Sequence, residues 1–142
     1  MTIARLIAGR SSPIISIESN APVREAVALL AEKRIGALPV MQAGSIVGIF
    51  SERDVVYGLA RQGAAMLDGP VGTAMTAPVI TVDPATEVLS ALALMTRRRI
   101  RHLPVVQGGA MVGFISIGDL VKHRIERIES EAQAMRSYIQ SA

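Results

Sequence analysis

The chain contains one segment twice. Sliding Pro13 to Asp54 onto Pro78 to Asp119, an offset of 65 residues, needs no gap and leaves 17 of 42 positions identical. The identities include Ile15/Ile80, Val23/Val88, Leu38/Leu103, Pro39/Pro104, Gly48/Gly113, Ser51/Ser116 and Asp54/Asp119. A gapless match of this kind marks two copies of one supersecondary unit. A unit of about 50 residues buries too little apolar surface to stand alone. The copies are therefore expected to pack face to face about an approximate two-fold axis, leaving two axis-related clefts, each lined by both repeats. Residues 1–70 carry the first repeat, 71–123 the second, and 124–142 extend the chain beyond what a repeat needs.

Each repeat reads as strand, helix, strand, strand, helix, an α+β pattern. Pro13 to Ile17 and Pro78 to Val82 are short β-branched runs. Pro22 suits the first position of the following helix, and Thr86 can cap its counterpart. Val23, Ala26, Val27 and Leu30 in the first repeat, and Val88, Ala91, Leu92 and Met95 in the second, recur at the i, i+3, i+4, i+7 spacing of one helical face. Leu38 to Met41 and Ile46 to Phe50 flank Gln42-Ala43-Gly44-Ser45, which is hairpin chemistry, and Gln107-Gly108-Gly109-Ala110 occupies the same place in the second copy. Ser51 and Ser116 open the last helix of each repeat.

Composition narrows the function classes. The 142 residues are 50% hydrophobic and 19% charged, so a substantial core can form, with Ile, Val, Leu, Ala and Met filling it because aromatics are only 3%. The absence of cysteine removes disulfides, thiolate metal sites and Cys nucleophiles, and with two histidines neither a nucleophilic triad nor a zinc site can be assembled from the usual parts. No catalytic cofactor is expected and the chain does not read as an enzyme. The longest apolar stretch, Ala26 to Ala31, is far below the ~20 residues of a membrane helix. The N-terminus lacks a basic region followed by a long apolar one. A soluble, cytoplasmic protein is the expectation.

The net charge of +3 favours anionic partners, and much of the excess is local: Arg97, Arg98, Arg99, Arg101 and His102. Arg97 and Arg98 read as cations complementing a helix C-terminus. Arg101 and His102 lie beyond that end. Nucleic acid is disfavoured as a partner, because single-strand platforms need aromatics.

The chemistry-bearing repeat is Gly48-Ile49-Phe50-Ser51-Glu52-Arg53-Asp54, matched by Gly113-Phe114-Ile115-Ser116-Ile117-Gly118-Asp119. A Ser followed three residues later by an acid at a helix start is a capping box. Capping boxes prefer Glu or Gln, whereas this chain uses Asp twice. A short carboxylate at a strand-to-helix edge can instead accept from two vicinal hydroxyls. Both readings stand on these residues alone.

The ordered set occurring twice, with Met75-Thr76-Ala77-Pro78-Val79-Ile80-Thr81-Val82, the two Leu-Pro-Val turns and both Gly-x-x-Ser-x-x-Asp ends, resembles the cystathionine-β-synthase (CBS) domain pair, or Bateman module, in its free-standing bacterial form. The resemblance implies an adenosine ligand such as AMP, ADP, ATP or NAD(H). Asp54 and Asp119 would hold the ribose hydroxyls, with Ser51 and Ser116 near ribose and phosphate. Ile80, Thr81 and Ile100 would wall the adenine belonging to Asp54, and Ile15, Ser16 and Ile35 the one belonging to Asp119. Arg101 and His102, just before the second Leu-Pro turn, fall where basic residues of the family contact phosphate. A guanidinium fork suits phosphate oxygens independently.

The repeats are unequal at these positions. Gly36 and Ala37 stand where the second copy has Arg101 and His102, and Gly118 matches Arg53, a second candidate for phosphate. The two clefts are thus expected to treat phosphate differently. His123, on the last helix, reads as a surface residue. Along that helix Val121, Ile125, Ile128, Ala132, Met135 and Ile139 form a heptad seam, which suits packing against a second subunit, and the resemblance likewise implies a two-fold homodimer. The expected function is a sensor whose nucleotide shifts packing or the choice of a regulated protein. The alternative is a structural interaction module with vestigial clefts, in which the Ser-x-x-Asp elements only cap helices.

Overall fold

Both hairpins turn where the chain can take positive φ. The structure, a computed structural model, describes residues 1–10 and 12–141. Ala43 and Gly44 lie at φ 52° and 80°, and Gly108 and Gly109 at 60° and 81°. Two consecutive left-handed residues match the right-handed twist of the flanking strands. In chain order the elements are α1 (Ile3–Ala8), β1 (Ile17–Glu18), α2 (Val23–Lys33), β2 (Ala37–Gln42), β3 (Ser45–Ser51) and α3 (Glu52–Gln62). A 3-10 turn (Gly63–Asp68) then leads into α4 (Val71–Ala74), α5 (Val88–Arg98), β4 (His102–Gln107), β5 (Ala110–Ser116) and α6 (Ile117–Ser141).

The repeat survives into three dimensions residue by residue. The β2–β3 and β4–β5 ladders share one register, and each shifts at equivalent points, Val40/Met41 and Val105/Val106. Ile17 pairs in parallel with Val40, and Val82 with Val105. The two β-α-β-β-α repeats pack about a pseudo-two-fold axis, with β3 and β5 meeting near it.

The first strands are shorter than their β-branched runs predict. At these runs, only Ile17 and Glu18 form a strand in the first repeat, and only Val82 bridges in the second. Val82 donates to Pro104 O and accepts from Val106 N, whereas Pro78, Val79 and Ile80 line a cavity instead of extending the ladder. The helix starts also differ by a residue. Pro22 is the N-cap of α2 rather than its first turn. Glu87 takes that place in α5 without a side-chain cap, and the Thr86 hydroxyl donates to Asp83 Oδ1.

Two apolar cores result, and their membership departs from chain order. The first gathers Ile17, Val23, Ala26, Leu30, Leu38, Val40 and Phe50 with Met66 and Val71, which lie between the two copied segments. The second gathers Val82, Val88, Ala91, Met95, Leu103, Val105, Ile115 and Leu120 with Ile3, which is fully buried. Each repeat is thus completed by the segment running into the other copy. Gly48 shows how closely: a Cβ there would lie 2.5 Å from Met75 Sδ and 2.9 Å from Thr76 O, so only glycine admits the crossing backbone.

His123 is not the plain surface residue its position suggests. It is partly covered, and its Nε2 is shielded from solvent without a hydrogen-bond partner.

Candidate functional site

A strand that delivers its last residue as the N-cap of a helix fixes that residue's side chain at the sheet edge. Ser51 closes β3 and caps α3: its amide donates to Asp54 Oδ2 at 2.8 Å, its hydroxyl to the same oxygen at 3.1 Å, and Asp54 N donates to Ser51 Oγ at 3.4 Å. Ser116 and Asp119 repeat the arrangement at the start of α6, with 2.8 Å and 3.1 Å for the two backbone donations. The shorter Asp therefore closes the capping box, and capping is real at both sites. It does not use up the carboxylate. Asp54 Oδ1 is left to accept from the Thr76 hydroxyl at 2.9 Å, on the connection crossing from the first repeat.

That free edge faces a cavity of about 480 Å³. Of the residues expected from sequence, Ser51, Arg53, Asp54, Ile80, Ile100, Arg101 and His102 line it together, joined by Arg99 and Glu52. The volume lies within the ~300–1,000 Å³ of small-ligand sites. Its chemistry is divided: Ile49, Val79, Ile80 and Ile100 give an apolar wall, Asp54 and Thr76 a polar edge, and Arg53, Arg99 and Arg101 a cationic side. Arg99 ends α5 in the left-handed conformation, φ 54°, as does its counterpart Arg34 in α2. Sequence alone gives Arg99 no role beyond its place in the basic run and does not single out Thr76, although it lies within the Met75-to-Val82 stretch. Thr81 is exposed and does not line this cavity.

His102 joins the two halves of the molecule. Its ring stacks on Phe114 at 5.6 Å with a 12° interplanar angle, and its Cε1 lies 3.8 Å from where a Cβ on Gly36 would stand. Burial pushes its pKa down. The Asp119 and Glu52 carboxylates pull the other way and Arg101 reinforces the lowering, which prevails. The imidazole is therefore neutral at pH 7, a hydrogen-bonding group in the cavity rather than a fixed cation.

The second cleft differs. Ile15 and Ile35 pack against the first core and Ser16 is exposed. Arg10 reaches Asp119 instead: Nη2 lies 2.8 Å from Oδ2, and Nη1 donates to Phe114 O at 3.0 Å. Burial would raise the Asp119 carboxyl, but the Ser116 amide and Arg10 outweigh it and hold it below its ordinary range. No sequence signal pointed to Arg10, because it lies outside the repeated segment. Among the described residues no group of three or more His, Asp or Glu side chains is placed to hold a metal ion, and no helix is long and apolar enough to cross a membrane.

Comparison with known proteins agrees with the paired fold. The CBS domain model matches residues 7–61 and 71–126. The CBS domain-containing protein CBSX3, mitochondrial, of Arabidopsis thaliana is 39% identical over 123 residues, covering 83% of this chain, which spans 60% of that protein's length. A solved CBS-domain protein of Burkholderia ambifaria MC40-6 superposes with a TM-score of 0.83 at 40% identity, over 89% of this chain and 95% of the other. The CBS domain pair of protein MJ0100, solved in complex with 5′-methylthioadenosine and S-adenosyl-L-methionine, superposes with a TM-score of 0.78 at 25% identity, over 89% and 98% of the two chains. With two family matches over most of its length and the paired fold to go with them, the chain belongs to the CBS-domain family.

Proposed function

We propose that this chain is a regulatory module that binds an adenine nucleotide in the cleft at Asp54. The observation that carries the reading is the meeting, in one cavity, of a helix-start carboxylate, an apolar wall from the other repeat and three arginines. The Asp54 Oδ1 edge suits a ribose diol, since a rotating Thr76 hydroxyl can be displaced from it at low cost. Ile80 and Ile100 suit a purine face, and Arg53, Arg99 and Arg101 suit phosphate oxygens. Ser51 adds the positive potential of a helix N-terminus. The adenosine compounds held by MJ0100 support the ligand class. AMP, ADP, ATP and NAD(H) all carry the required groups, and mass spectrometry of the small molecules released on denaturing freshly purified protein identifies the one retained. Calorimetric titration with AMP and adenosine tests the site: binding of neither would overturn the reading.

The closed capping boxes favour one competing view, an interaction module whose clefts are vestigial. The same titration separates the two. In either case a second copy of the chain is the proposed partner of α6. Of this 25-residue helix only Leu120 is buried, and Val121, Ile125, Ile128, Met135 and Ile139 present their seam to solvent. Deleting residues 124–142 is expected to weaken a dimer while both repeats stay folded. An unchanged dimer in sedimentation would move the interface to the repeats. The nucleotide would then act by altering how the repeats pack or which regulated protein they meet.

A further inference from the structure

Asp54 and Asp119 are counterparts in the repeat, yet they meet different neighbours. Asp54 accepts one neutral hydroxyl, from Thr76, on the oxygen that its cap leaves free. Asp119 meets a guanidinium. Its Oδ2 takes both the Ser116 amide at 2.8 Å and Arg10 Nη2 at 2.8 Å, so the cap and the ion pair share one oxygen. The second guanidinium nitrogen is tied to Phe114 O, on the strand leading into the same cap. The guanidinium thus sits on the capping oxygen rather than on the counterpart of the oxygen that Asp54 turns to the cleft, and it acts against a diol by drawing on the same carboxylate charge.

Arg10 is also held from behind. Its amide donates to Ile7 O at 3.1 Å just after α1, and α1 is anchored by Ile3 in the second core and by Ile7, whose Cγ2 would stand 3.1 Å from a Cβ on Gly113. The guanidinium is thus delivered to Asp119 by an element that completes the same repeat. The pair is nonetheless open to solvent, with 37% and 38% side-chain exposure, so it is reversible and screened by salt. Two of the three arginines of the first cleft also lack counterparts, because Arg101 and Arg53 are replaced at the equivalent positions by Gly36 and Gly118, while Arg99 is matched by Arg34.

We propose that Arg10 sets the nucleoside stoichiometry of the chain by pairing with the Asp119 carboxylate and competing for its charge, leaving Asp54 as the ready site and the second cleft as one that fills readily only when Arg10 lets go. This rests on the nucleotide reading of Asp54. Adenosine is the probe, because without phosphate it competes with Arg10 through its diol alone.

Calorimetry of the full chain with adenosine is expected to give one tight site per chain. Asp54→Asn removes it and leaves only weak binding. Adding Arg10→Gln to Asp54→Asn is expected to tighten that residual binding about tenfold or more, equivalent to ~1.4 kcal/mol, and a further Asp119→Asn to abolish the gain. Equal binding with and without Arg10→Gln, or weaker binding with it, overturns the proposal while leaving the Asp54 reading intact. Loss of all adenosine and AMP binding, in the wild type as in every variant, overturns both. A test needing no substitution compares about 50 mM with about 500 mM NaCl: screening loosens the ion pair, so the weaker adenosine site tightens while the tighter one holds, and a weaker site that does not move counts against Arg10.

Discussion

The two oxygens of Asp54 have separate tasks, one closing the α3 cap and the other facing the cleft. Asp54→Glu separates them. Glu is the usual capping-box acid and keeps the helix start within some tenths of a kcal/mol. The added methylene carries the cleft-facing oxygen away from a diol, with loss of charge-assisted bonding worth ~1.5–3 kcal/mol. AMP affinity should therefore fall about ten- to hundredfold, with the melting temperature nearly unchanged. Calorimetry and melting on the same variant check both halves. His102 gives a pH prediction. Its pKa in the fold lies below the ordinary ~6.5. Between those two values the unfolded chain binds more protons, so this contribution to stability is complete above ~6.5 and is lost as pH falls toward the folded value. Asp119, lowered, acts in the same direction further down: its contribution persists until pH falls below ~4. Melting curves between pH 7.5 and 5.5 should show the wild type losing stability relative to His102→Gln. Parallel curves would remove the buried-imidazole account.

At the scale of elements, the exchange of segments between repeats makes α1 part of the second core. Ile3 has no exposed surface and packs among residues of that core. Truncating a buried Ile to Ala leaves a cavity and costs ~2–5 kcal/mol. Ile3→Ala should thus destabilise the protein by that order in denaturant melts, and hydrogen exchange should show the loss centred on α5, β4 and β5 rather than on α2. A helix that only decorated the surface would cost less than about 0.5 kcal/mol. Periodicity made α2 and α5 legible, since their buried residues Val23, Ala26, Leu30 and Val88, Ala91, Met95 are the predicted faces. It could not reveal α1, a six-residue helix outside the repeated segment. The first strands are shorter than their β-branched runs for a related reason. β-branched runs suit any extended backbone, and only part of each run finds a partner strand.

For the whole molecule, a ligand held in the cavity between the repeats would link binding to stability. A nucleotide that binds only the folded chain adds ~2.7 kcal/mol at 100 times its Kd. For a protein of this size each kcal/mol moves the melting temperature by ~3–5 °C. AMP at that concentration should raise it by nearly 10 °C, read by differential scanning fluorimetry. A scan without a shift for AMP, ATP and NAD would count heavily against a nucleotide sensor. If Arg10 controls the second cleft, Arg10→Gln should widen the shift, because two bound ligands stabilise more than one.

The sequence by itself determined the repeat, its register and the helix-start carboxylates, because these are local: hairpin turns, helical faces and Ser-x-x-Asp spacing are written within a few residues of one another. It also placed Asp54 with Ile80, Ile100, Arg101 and His102, through the symmetry of two copies and the family they resemble. Only the tertiary structure decided the rest. Which segment completes which core, that Thr76 reaches Asp54, and that Arg10 reaches Asp119 are contacts between residues 22 and 109 positions apart. Nothing in local spacing encodes them. They arise because each half-formed core must be closed by whatever chain passes over it, and in this protein the segments that pass carry a neutral hydroxyl to one carboxylate and a charge to the other.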